Sequence, residues 1–218
     1  MIDQIRWAGH GSFTIQGPPL IYINPWRVLR TAFLADVILI SHDHYEHFSA
    51  GDVQKLRGPQ TIILTNEKVA AEIDGAQVLR PYHSITVDRA RITAIPAYSP
   101  DGVVHSLADG GLGFLISVNF YDIYYSGDTG ETPEMMRVQP DIAMLPIDDN
   151  GTLSVEQAAE IVKRMRPRYV YPMNWGTPDI TTSASRKDAL TFRDLVADRA
   201  EVVLPPDVEE PTKRLLFE

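Results

Sequence analysis

The junction at residues 36–47 constrains this chain most: Asp36-Val37-Ile38-Leu39-Ile40 runs without a break into Ser41-His42-Asp43-His44-Tyr45-Glu46-His47. The first five residues are mostly apolar and rich in β-branched side chains, as expected of a central strand buried on both faces. Four side chains that readily bind transition metals follow within six residues. Alternate residues at a strand end project the same way, so His42 and His44 can point to one ion while Glu46 and His47 turn toward a neighbouring one. Imidazole and carboxylate suit zinc, manganese, iron or nickel. The competing reading is a polar, solvated loop, which would gather three of the chain's six histidines there without a role.

The rest of the chain reads as an α/β domain spanning residues 1–218. Residues 5–23 alternate apolar and polar positions between the turns Gly9-His10-Gly11 and Gly17-Pro18-Pro19, a strand meander. Ser49 can cap a helix over 50–56 and Asn66 another over 67–73, with a strand at 61–64 between them. Strands are predicted near 92–97, 112–118 and 122–125, with a long glycine-bearing loop over 99–111. Ser154-Val155-Glu156-Gln157 has the form of a capping box, and Val155, Ala158, Ala159, Val162 and Met165 share one helical face. A strand at 169–172, a helix over 186–198 and strands near Val202 and Leu215 complete the pattern.

Composition narrows the function classes. With no cysteine, a transition-metal site must use histidine, carboxylate, amide or water ligands. No stretch approaches the ~18 apolar residues of a membrane span, and no basic segment precedes an apolar run at the N-terminus, so the cytoplasm is the expected compartment. The net charge of −9, with basic pairs only at Lys163-Arg164, Arg186-Lys187 and Lys213-Arg214, argues against nucleic acid as a partner.

The run His42-Asp43-His44-Tyr45-Glu46-His47 resembles the His-x-His-x-Asp-His signature of the metallo-β-lactamase superfamily. Gly9-His10-Gly11-Ser12-Phe13 followed by Asn24-Pro25-Trp26 is similar to the opening segments of the branch that includes L-ascorbate-6-phosphate lactonase-like proteins and related metal-dependent hydrolases. Gly127-Asp128-Thr129 resembles the family's Gly-Asp-Thr, and Pro172-Met173-Asn174-Trp175 its late Pro-x-His segment. The resemblance covers nearly the whole chain. It implies a four-layer αβ/βα sandwich, two mixed sheets with helices outside and metal at one sheet edge. By the same resemblance His42 and His44 hold a first divalent ion, zinc foremost, Glu46 and His47 a second, and Asp128 bridges them.

Departures from the family pattern fall mostly on the second position. The signature aspartate is Glu46, one methylene longer; the late histidine is Asn174, a weak ligand; and the Asp of Asp-Pro-Trp is Asn24, which removes a negative charge. At the first position Tyr98-Ser99 stands where a third histidine usually follows Pro-Ala, and His105 in the loop downstream is the substitute donor. The expectation is therefore one well-held ion or a weakly populated pair. The implied activity is hydrolysis of a small ester, lactone or phosphoester by ion-bound hydroxide, with Asp128, Glu46 and His105 as catalytic candidates. His10, Tyr98 and Asn174 are candidates for contact with a small-molecule substrate, although His10 also reads as a turn residue; His83 reads as an exposed turn histidine. The departures also motivate an alternative, a ligand-binding or regulatory protein with one or no metal that has lost hydrolysis. A homo-oligomer is left open.

Overall fold

The computed structural model describes residues 1–28 and 33–204; the strand expected near Leu215 and the pair Lys213-Arg214 lie outside them. The first sheet is formed by β1 (Ile5–Gly9), β2 (Ser12–Ile15), β3 (Ile21–Ile23), β4 (Ala35–Leu39), β5 (Arg57–Thr65) and β6 (Gln77–Val78), adjacent in that order. Its first three strands are the expected antiparallel meander, and β3 through β6 pair parallel. Helices α1 (Ala50–Leu56) and α2 (Glu67–Ala70) make the crossovers that parallel neighbours require. The second sheet comprises β7 (Ser84–Val87), β8 (Ala90–Pro96), β9 (Leu112–Val118), β10 (Tyr121–Tyr125), β11 (Ile142–Pro146), β12 (Tyr169–Met173) and β13 (Glu201–Val202). Here β7 to β10 are antiparallel and β10 to β13 parallel, with α3 (Val155–Met165) and α4 (Arg186–Val196) as connections.

Side-chain alternation along the strands creates the layers. In β4, Val37 and Leu39 enter the core between the sheets beside Phe13 and Ile92, whereas Ile38, and Ile40 just beyond the strand, pack outward on Val53 and Leu56 of α1 and Val69 of α2. In β10, Ile123 and Tyr125 face inward while Tyr124 packs with Val162 of α3 and Phe192 of α4. The result is the anticipated sandwich, helices outside two mixed sheets.

Local signals set the helix starts. Ser49 and Asn66 accept from the backbone of Asp52 and Val69, and capping boxes join Ser154 to Gln157 and Ser185 to Asp188. Each cap contributes about 1 kcal/mol. Helix α2 stops at Ala70, three residues short of its expected end, where the chain bends toward Gly75 at φ 75°. Strands β6, β7 and β11 were not anticipated. The last is central and wholly buried, so Ile142-Ala143-Met144-Leu145-Pro146 shows no alternation and lacks the β-branched enrichment that marks β4.

Candidate metal centre

The sheets meet over the histidine run: the Leu112 N–H donates to Ser41 O at 3.0 Å, placing the start of β9 beside the end of β4. His42 and His44 follow the end of β4 on either side of a bend at Asp43. The chain then turns, His47 N and Phe48 N both donating to His44 O, so Glu46 and His47 point elsewhere before Ser49 opens α1. From the second sheet, β10 ends at Tyr125 and Gly127 takes φ 68°, delivering Asp128. Thr129 secures that turn by donating to Tyr98 O at 2.9 Å. The long loop contributes His105, itself at φ 57°, whose carbonyl accepts from Ser99 N.

Two groups of donors result. In one, ligand atoms of His42, His44, His105 and Asp128 all lie within 4.8 Å of one another; in the other, His10, Glu46 and His47 do the same. Asp128 Oδ2 stands between them, 3.6 Å from His42 Nε2, 3.7 Å from His105 Nε2 and 3.2 Å from His47 Nε2. Its other oxygen accepts from Asn174 Nδ2 at 2.9 Å. Such atoms normally find partners when buried. Among the described residues His42 Nε2, His47 Nε2, Glu46 Oε2 and Asn174 Oδ1 are buried without a well-aligned hydrogen bond. Three imidazoles and a carboxylate converging beside an unsatisfied His42 nitrogen fit one divalent ion of the zinc class.

Electrostatics support a neutral, ligand-ready set. Burial, assisted by His47, lowers His10 to about 3, and burial also lowers His42 and His105, so these rings keep free lone pairs at ordinary pH. Burial would raise Asp128, but the surrounding His47, His42 and His105 outweigh it and hold the carboxyl well below its usual range. For His47 burial is again opposed, here by the charge and hydrogen bond of Asp128, which favour a proton on the ring. Asp148, unremarked in the sequence, receives Thr152 Oγ1 at 2.7 Å and shares Asn174 Nδ2 with Asp128. Burial and the Asp128 charge push it up to about 7.

That shift carries a pH prediction. Between about 4, the ordinary carboxylate value, and about 7, the folded chain binds a proton at Asp148 that the unfolded chain does not. Stability from this group is therefore present at low pH and lost as pH rises through that window. Asp148→Asn should lose less stability than the native chain between pH 5 and pH 8 in urea unfolding. Equal losses would show that Asp148 does not titrate there.

An open cavity of about 120 Å³ reaches the first group, lined by His42, His44, His105 and Asp128 with Asp43, Lys68 and Asp109 nearby. Lys68 is paired with Asp109 at 2.8 Å. His10, Tyr98 and Asn174 do not line this cavity. His10 is buried beside Glu46 and His47, because its turn at φ 48° directs the ring inward. Tyr98 Oη donates to Glu134 at 3.0 Å, and Asn174 is fully buried on Asp128. His83 is an exposed turn residue as expected. Lys68 and Asp109 were missed: isolated charges on a helix and a loop carry no sequence signal for a shared cavity.

A family model described as the beta-lactamase superfamily domain matches residues 4–174. Its fold and donor arrangement make this chain a member of that superfamily. Within it the chain belongs to the UPF0173 metal-dependent hydrolase family: the Thermococcus onnurineus member is 30% identical over 92% of this chain and 95% of its own, and the Pyrococcus abyssi member 29% identical over 95% and 98%. A solved structure from Parabacteroides distasonis superposes with a TM-score of 0.78 at 26% identity, covering 91% of this chain and 90% of that one. The metallo hydrolase Igni18 of Ignicoccus hospitalis shares the fold at a TM-score of 0.74 and 23% identity, over 92% and 94%.

Proposed function

We propose that the chain is a metal-dependent hydrolase acting on a small, uncharged ester or lactone. The observation that carries this reading is the convergence of His42, His44, His105 and Asp128 within 4.8 Å at the floor of an open cavity. Family membership supports the same class, since curated relatives are named metal-dependent hydrolases. A bound divalent ion, zinc foremost, would supply Lewis acidity and lower the pKa of water.

The chain's own residues do the rest. His42, His44 and His105 offer neutral nitrogens, and Asp128 supplies the negative charge that a dication needs. Asn174 anchors Asp128 from behind, holding one oxygen so that the other faces the histidines. At about 120 Å³ the cavity admits the reacting group of a substrate but not a large body. Among the described residues Lys68 is the one lysine or arginine lining it, and it is already held by Asp109, while Asp43 adds further negative charge. A phosphoester would find little compensation there, which favours an uncharged carbonyl substrate.

The test is elemental analysis of protein purified without chelator, followed by hydrolysis of small ester, lactone and phosphoester panels before and after chelation. Expected are about one equivalent of transition metal and chelator-sensitive ester or lactone hydrolysis. Metal below about a tenth of an equivalent would overturn the metal-dependent reading. Preference for phosphoesters would overturn the substrate class.

A further inference from the structure

Asn24 follows β3, is fully buried, and holds its backbone at φ 45°. Its amide orientation is set by Ser41, whose backbone N–H can only donate and meets Asn24 Oδ1 at 2.8 Å. The amide nitrogen must then face the other way, where His47 Nδ1, Ser41 Oγ and Tyr125 Oη each lie 2.8 Å from it. An amide NH2 donates twice and accepts nothing. A proton on His47 Nδ1 would confront it donor to donor, so the Asn24 contact opposes the second proton that Asp128 favours, Nδ1 keeps its lone pair, and the single ring proton resides on Nε2. From there it can reach Asp128 Oδ2, 3.2 Å away.

We infer that Asn24 keeps the His47 proton on Nε2, facing Asp128 Oδ2 at 3.2 Å, so that this ring is not a metal ligand and the chain binds a single ion at His42, His44, His105 and Asp128 and none beside Glu46. A protonated Nε2 has no lone pair to give a metal, and removing His47 leaves only His10 and Glu46 in the second group, while Asp128 Oδ2 belongs to the first group and faces the His47 proton. Zinc in proteins takes at least three protein ligands. His42 differs because its Nδ1 meets the Ser41 hydroxyl at 2.8 Å, a group that accepts as readily as it donates. Its Nε2 lone pair therefore remains available.

The inference rests on the proposed metal-dependent reading only for the first position, and its test separates the two. Chelator-treated protein is titrated with zinc chloride by calorimetry, and bound zinc is counted after buffer exchange. The native chain should bind about one equivalent and Asn24→Asp about two, because an aspartate at 24 would accept the His47 Nδ1 proton and free Nε2. Two tight equivalents in the native chain, or one in a folded Asn24→Asp variant, overturn the inference while leaving the hydrolase reading intact. No zinc in the native chain overturns the hydrolase reading instead. Nitrogen NMR of the imidazole rings decides the matter even if the variant does not fold. In the zinc-loaded native chain the His47 signals, assigned by their loss in His47→Gln, should show the proton on Nε2; a proton on Nδ1 overturns the inference.

Discussion

Asp128→Asn should strip the centre of its metal and destabilise the protein at the same time. The carboxylate is the one negative charge in the first donor group, and its loss should cost more than the about 10–100-fold in zinc affinity typical of losing a ligand's outer partner. The buried hydrogen bonds suffer as well. Asn174 Nδ2 donates to one Asp128 oxygen, and His47 Nε2 stands 3.2 Å from the other. An asparagine can turn its oxygen toward only one of these, leaving its amide nitrogen against a donor at the other. A buried donor left unmatched costs about 1–3 kcal/mol. Dialysed Asp128→Asn should therefore contain no zinc and melt several degrees lower in its metal-free form. Retention of native metal content would show that Asp128 is not a ligand.

The second large effect is expected one residue earlier. Gly127 sits at φ 68°, and a Cβ added there would lie 2.5 Å from Leu112 O and 3.1 Å from both Leu112 C and the Ala97 side chain. The nearest of these is backbone of β9, which cannot swing aside. Gly127→Ala combines a left-handed conformation, about 1–2 kcal/mol for an L-residue, with overpacking of about 1–3 kcal/mol. In a chain of this size each kcal/mol shifts the melting temperature by about 2–4 °C. A drop of roughly 5–15 °C is the expected result, together with weaker zinc binding as Asp128 is pushed from its partners. An unchanged melting curve would mean that the turn relaxes freely. Gly11 meets a comparable demand, since a Cβ there would fall 2.4 Å from the His47 ring.

Features governed by neighbours in sequence were legible. The caps at Ser49 and Asn66, the capping box at Ser154, the meander, and the strand running into the histidine run all follow from short-range geometry. His42 and His44, two residues apart at a strand end, were bound to share a direction. The wholly buried strand β11 was not legible, because a strand apolar on both faces loses the alternation that reveals it. Asp148, two residues beyond its end, was hidden with it. His10 was read as a turn or substrate residue, since nothing local indicates that its ring enters the interior beside Glu46 and His47.

By itself, the sequence determined the layered α/β class and the identity of the available donors: with no cysteine, any transition metal had to meet histidine and carboxylate. Those properties depend on composition and on spacings of a few residues. The tertiary structure decided which donors converge. It brings His105 from a long loop to His42 and His44, and it turns Tyr98 away to Glu134. It also surrounds Asn24 with Ser41, His47 and Tyr125, so that one amide sets the proton of a histidine far along the chain. Such contacts arise only when two sheets pack face to face, because their members share no local spacing.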